Sequence, residues 1–159
     1  MVEIKPIKRS KQLTPLSHEH HEGLLFVWKI RQGLQHKVSI DKMRKYAIWY
    51  WRNHIKPHFY QEENILLPYL PIDHPMAIRL KKEHEHIREH ILNLDKEADY
   101  NTYRLLVDLV NDHIRFEERE LFGFLEQTLS PDQLDDIFKK LEEHPLRCDE
   151  WTDEFWVKK

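Results

Sequence analysis

Apolar residues recur at three- and four-residue intervals over four long stretches and one short one, the period of helices that bury one face. The first stretch carries Leu16, Leu24, Leu25, Val27, Trp28 and Leu34. It follows Thr14-Pro15, a capping residue with proline at the first helical position, and predicts a helix to about Gln35. Ser39 can cap a second helix from Ile40 to about Leu67, where Pro68 and Pro71 stop it. Pro57 lies inside this helix and should bend it just before His58, leaving a carbonyl one turn back without its partner. A third helix runs from near Pro75 to about Asp95, with Leu80, Ile87, Ile91 and Leu94 on its inward stripe. A fourth covers roughly Thr102 to Thr128, and Ser130-Pro131 opens a shorter fifth to about Glu143. The aromatic tail from Trp151 to Val157 is expected to pack back as a turn or short helix. Four long helices with short loops imply an all-α, up-down-up-down four-helix bundle over about 14–129, with a C-terminal helical extension over 130–159. At 159 residues the chain reads as a single domain.

Two polar residues interrupt the stripe of the fourth helix: His113 and Glu117 follow Leu106, Leu109 and Val110 and precede Leu121 and Phe124. The second helix has the same break, with His58 and Glu62 between Ile55 and Leu66. The breaks belong to an internal repeat. His58-Phe59-Tyr60-Gln61-Glu62-Glu63 recurs 55 residues later (113 − 58) as His113-Ile114-Arg115-Phe116-Glu117-Glu118. A His and a Glu at i and i+4 lie one above the other, roughly 6 Å apart along the helix axis. Burying an unpaired carboxylate is costly enough that the group must be paired, protonated or bound to a cation. Two such pairs facing each other supply four ligands of the kind a di-iron carboxylate site requires. One residue on, Glu63 and Glu118 rotate about 100° away from the stripe and should face outward.

The remaining histidines are sorted by phase. His84 lies on the inward stripe of the third helix, whereas His86 and His90 share a face with Arg79, Glu83 and Asn93 and read as solvated. On the first helix, His21 precedes Leu24 by three residues as His84 precedes Ile87, which selects His21. His20 sits a turn from Leu16 and Leu24 and competes with it; His18 is a distant third. His54 lies one turn before His58 and is a candidate supporting partner or extra ligand if Pro57 shifts the phase. His36, His74 and His144 fall at helix ends or loops. The candidate metal ligands are therefore His20, His21, His58, Glu62, His84, His113 and Glu117. A competing motif, His86-Ile87-Arg88-Glu89-His90, fits the inverted zincin pattern of a zinc hydrolase with Glu89 as base, but it lies on a polar face. A metal-free structural bundle is the other alternative.

Composition narrows the classes further. A net charge of −3 with scattered Lys and Arg argues against nucleic-acid binding. One cysteine, Cys148, excludes an internal disulfide and any Cys-rich zinc or iron–sulfur site. The basic segment from Met1 to Lys11 lacks the apolar core of a signal peptide, and no stretch reaches transmembrane length, so a cytoplasmic protein without membrane partners is expected.

The pieces Glu19-His20-His21, His58-Phe59-x-x-Glu62-Glu63, Glu83-His84-x-x-Ile87-Arg88 and His113-x-x-x-Glu117-Glu118-x-x-Leu121-Phe122 together resemble the hemerythrin-like, or HHE cation-binding, family from Ser17 to about Leu125. The resemblance implies a four-helix bundle with two non-haem iron ions, oxo- or hydroxo-bridged, Glu62 and Glu117 as bridging carboxylates and histidines as terminal ligands. Zinc or manganese would accept the same donors. Where oxygen-carrying relatives have a further histidine one turn before His84, this chain has Leu80. That turns the expectation from reversible oxygen carriage towards binding of, or response to, O2 or NO, or iron handling. The resemblance favours a metal- and gas-binding protein over an enzyme.

Overall fold

The computed structural model describes residues 8–96, 98–143 and 151–157. His144 and Cys148, both weighed above, lie outside the described residues. The fold is all-helical, with no strand among the described residues. Helix α1 is Thr14–Gln35, and α2 spans 40–69. Helix α3 is Pro75–Leu92, closed by a 3-10 turn Asn93–Asp95. Helix α4 spans 100–128, and α5 is Pro131–Glu143.

The starts are set by side chains that satisfy the free N–H groups of the first turn. Ser39 accepts from Lys42 N at 3.2 Å, and His74 accepts from Met76 N at 3.1 Å. Asp99 and Thr102 form a reciprocal capping box at 2.9 and 3.2 Å. Ser130 and Gln133 exchange the same pair of bonds at 3.2 and 2.9 Å. Thr14 does not cap α1: the capping position is Leu13, and Thr14 already lies in the helix with its hydroxyl donating to Ser10 O at 2.8 Å. A turn beginning at Ser10 feeds the helix, so the proline falls one residue deeper than the expected cap-plus-proline start.

Helix α2 contains two wide π turns, Trp51–Ile55 and Glu62–Leu66, on either side of the α segment Lys56–Gln61. The first ends beside Pro57, where Lys56 N donates to Trp51 O five residues back. Pro57 has no N–H to give, and the locally wider turn accommodates that loss inside a continuous helix. The second π turn has its counterpart in α4, Glu117–Leu121, at the same register of the internal repeat.

Helix α1 packs along α4 most extensively; α3 also packs on α4, and α2 touches both α1 and α3, so four helices close a ring. Helix α5 lies against the π turn Glu62–Leu66. Two apolar cores result. One is aromatic, built on Phe26, Tyr46, Tyr50, Trp51 and Phe59 with Ile87, Val110 and Ile114. The other is leucine-rich, built on Leu16, Leu66, Leu80, Leu121 and Leu125 with Leu134 and Leu141 from α5. The tail packs on the aromatic core through Phe155, whose ring meets Tyr46 at 5.2 Å, and Lys29 lies over Trp156 at 4.3 Å. It forms a turn, with no helix over 151–157. No helix among the described residues is long and apolar enough to cross a membrane.

Candidate metal centre

Between the two cores lies a layer of buried polar side chains: His20, His58, Glu62, His84, His113 and Glu117. Each helix of the ring contributes at the point where it passes from one core to the other. On α2 the order is Ile55, His58, Glu62, Leu66; on α3 it is Leu80, His84, Ile87. On α4 it is Val110, His113, Glu117, Leu121, and on α1 Leu16, His20, Phe26. Both glutamates are the first residues of their π turns. π turns are rare and recur at functional sites, and here each sits where a carboxylate must turn inward.

The six side chains form two overlapping groups: His20, His58, Glu62 and Glu117, and Glu62, His84, His113 and Glu117. In each group one ligand atom per residue lies within 4.8 Å of all the others. Both groups use both carboxylates. His58 Nε2 is 3.1 Å and His84 Nε2 3.3 Å from Glu62 Oε1. His20 Nε2 is 3.2 Å from Glu117 Oε2, and His113 Nε2 contacts Glu117 Oε1. No hydrogen bond of normal geometry reaches any of the four oxygens of Glu62 and Glu117. Fully buried oxygens of that kind are costly and call for a cation or protons. Four imidazole nitrogens and two shared carboxylates are donors that suit first-row transition metals.

The outward ring nitrogens face a second set of carboxylates. Glu19 accepts from His58 Nδ1, Glu83 lies 2.8 Å from His113 Nδ1, and Glu118 lies 2.7 Å from His20 Nδ1. Glu63 is 3.9 Å from His84 Nδ1. Each of these glutamates adjoins an inner residue on its own helix and reaches the histidine of a neighbouring helix: α1 to α2, α2 to α3, α3 to α4 and α4 back to α1. A carboxylate on Nδ1 fixes the tautomer that presents Nε2 as a ligand and holds the ring in place. Glu63 is exposed, as expected of a residue rotated off the stripe, whereas Glu118, expected outward too, is half-buried against His20. Rotation about one helix axis turns them from the centre, but it turns them towards the next helix.

Charge is already distributed for this arrangement. Burial opposes charge on His58, yet the Glu62 and Glu19 carboxylates outweigh it and push its pKa up to about 10. Burial works against Glu62 as well, but His58 and His84 hold its carboxyl well below the usual range. His84 is raised against burial by Glu62 and Glu63. At His113 burial prevails over Glu83, with His84 adding to it, and lowers the pKa to about 4. Without metal, His58 is an imidazolium paired with its carboxylates while His113 is a neutral ring, and metal entry must displace the proton of His58.

A cavity of about 390 Å³ opens onto His20, His58 and His113. Its walls are mostly apolar, with Gly23, Ile55, Phe59, Ile87, Val110 and Ile114, and Glu19, Glu22 and His54 also line it. His54 stacks on Tyr50 at 4.5 Å and belongs to neither ligand group.

Of the seven sequence candidates, the structure brings six together and leaves out His21, which is exposed. The analogy that selected it fails because the inward face of α1 runs through Leu16, His20, Gly23, Val27 and Ile30, while Leu24 and Trp28 are exposed. Glycine gives no hydropathy signal. At Gly23 α4 comes so close that an added Cβ would lie 2.8 Å from Ile114 Cδ1. His18 and His86 are exposed and His90 is half-buried; the His86 and His90 rings meet at 5.1 Å, but neither ligand group contains them or Glu89. Leu80 is fully buried in the leucine-rich core where the further histidine was sought. Glu19 and Glu83 were missed as supports, although each directly precedes an inner histidine in sequence.

Fold and site together define an all-helical protein with a buried His/Glu cluster suited to cations. The profile of the hemerythrin HHE cation-binding domain matches residues 12–125, and the chain belongs to that family. Comparison with curated proteins and with solved structures returned no match.

Proposed function

We propose that this protein is a non-haem di-iron protein of the hemerythrin type, an up-down-up-down four-helix bundle that works in the cytoplasm and binds or responds to O2 or NO. The observation that carries the reading is the sharing of Glu62 and Glu117 between two four-residue ligand groups. His20 and His58 would hold one ion, His84 and His113 the other, and both carboxylates would bridge them. When bound, two irons would supply redox-active cations able to take up a small exogenous ligand. The chain's own residues do the rest. Glu19, Glu83 and Glu118 orient the imidazoles of His58, His113 and His20 through Nδ1, and Phe59 lies against one face of His84 at 3.6 Å. The mostly apolar cavity beside three of the four histidines suits small uncharged molecules, which supports the gas reading.

Metal analysis after anaerobic loading with Fe(II) should give about two irons per chain, as the two ligand groups require. Absorption spectra before and after exposure to air and to NO should then change. A stoichiometry near zero would overturn the di-iron reading; full loading with unchanged spectra would leave the metal and remove the gas.

A further inference from the structure

The repeat makes the two halves of the centre alike in their ligands, but they differ in how those ligands are held. In the half with His20 and His58, both Nδ1 atoms contact a carboxylate, Glu118 at 2.7 Å and Glu19. Glu118 is itself clamped: Ser17 Oγ donates to it at 3.0 Å, and the Arg9 guanidinium lies 3.3 Å away. Arg9 also donates to the Glu118 carbonyl, pairs with Glu126 at 2.8 Å and lies 5.4 Å from the centre of the Phe122 ring, with only 8% of its side chain exposed. In the other half, His113 has Glu83, which Arg79 holds at 2.8 Å. His84 has no such support. Its Nδ1 is buried, without a hydrogen bond and 3.9 Å from Glu63, and the Glu63 side chain is 41% exposed. Counting back three residues from His20 gives Ser17; counting back three from His84 gives Lys81, which makes no hydrogen bond or ion pair to Glu63 and acts on it only through its charge. A polar cleft of about 470 Å³, lined by Glu63, Lys81, Glu85 and Arg88 among others, runs to His84.

We infer that the two metal positions are unequal: the ion held by His20 and His58 is retained, the ion held by His84 and His113 exchanges through the Glu63 cleft, and Arg9 makes the difference. This rests on the two-metal reading above. Arg9 lies before the residues the family profile matches. The physical basis is that an imidazole whose far nitrogen is pinned stays aimed at the metal, whereas an unpinned one turns away and lets the ion leave. Outer partners of this kind are typically worth about 10- to 100-fold in metal affinity. A chain built so would keep one ion and pass the other on, which is the behaviour of a metal donor.

The test loads the full chain with zinc and follows its release to a chromophoric chelator. Two phases of similar amplitude are expected, separated by about tenfold or more. His84→Ala should remove the fast phase and His20→Ala the slow one. Arg9→Ala should accelerate the slow phase by about tenfold without changing the fast phase, and Arg9→Lys should restore part of the difference. A general loosening of the fold would speed both phases. If Arg9→Ala fails to fold, as judged by its helical circular dichroism, Glu118→Gln carries the same expectation. A single phase with two zinc ions bound overturns the inference, as does a slow phase that disappears in His84→Ala. Binding of fewer than two zinc ions by the unaltered chain instead defeats the two-metal reading on which it stands.

Discussion

The two apolar cores and the polar layer between them share the same four helices, often through residues one turn apart, yet they obey opposite energetics. In the leucine-rich core, burial of Leu16, Leu80, Leu121 and Leu125 stabilises the fold whatever is bound. In the polar layer, burial of Glu62, Glu117 and four histidines costs free energy that imidazolium–carboxylate pairing only partly offsets, and a bound cation would reverse the sign. The lesson is that stability and function are separated by layer, not by helix. Each helix carries both, and a substitution four residues away should change which property is lost.

The largest effect should come from the shared carboxylates. Glu62→Ala or Glu117→Ala removes a ligand from both groups at once, so metal content should fall from about two per chain towards none. Leu80→Ala, one turn from His84, should do the reverse: about 2–5 kcal/mol of stability lost in denaturant unfolding, with stoichiometry kept. If Leu80→Ala emptied the centre as thoroughly as Glu62→Ala, the layers would not be separable.

Next is the response of the layer to pH. His58 has its pKa raised to about 10, so its contribution in metal-free protein is complete below about 6.5 and is lost as pH climbs through about 10. His113, lowered to about 4, contributes above about 6.5 and loses that contribution as pH falls towards 4; the depressed Glu62 adds a further loss in acid. Metal-free melting temperatures should therefore decline on both sides of neutrality. Metal competes with the protons of His58 and His84, so the loaded-minus-free difference should grow from about pH 6 to about pH 8.5. At free metal one hundred times the dissociation constant the gain is about 2.7 kcal/mol. A difference that shrinks over that range would mean the metal binds elsewhere.

Removing an outer carboxylate tests whether the layer extends beyond its ligands. Glu83→Ala or Glu118→Ala should weaken metal binding by about 10- to 100-fold in a competition titration while saturating metal still reaches the same stoichiometry. An unchanged affinity would make these contacts incidental. The smallest effect sharpens the boundary on α1. His21→Ala should change stability by less than about 0.5 kcal/mol and leave metal content alone, whereas His20→Ala should cost about one metal per chain.

Local sequence was sufficient for everything that repeats within one helix. The starts at Ser39, Pro75 and Pro131 follow from caps and prolines whose bonds are made within a turn. His58, Glu62, His113 and Glu117 were legible because each interrupts an apolar stripe on its own helix, and the 55-residue repeat (113 − 58) shows the interruption twice. His84 was legible for the same reason. Tertiary structure decided whatever depends on two helices at once. His20 rather than His21 faces the centre because α4 approaches at Gly23, a contact that no hydropathy pattern on α1 records. Glu19, Glu83 and Glu118 lie off their own stripes and acquire a role only through the histidine of the adjacent helix, whereas Glu63 stays 3.9 Å from His84 Nδ1. The π turns at Glu62 and Glu117 likewise trade local hydrogen-bond geometry for the aim of a side chain. Periodicity reports which way a residue points from its own axis; what it points at is set by the packing of the other three helices.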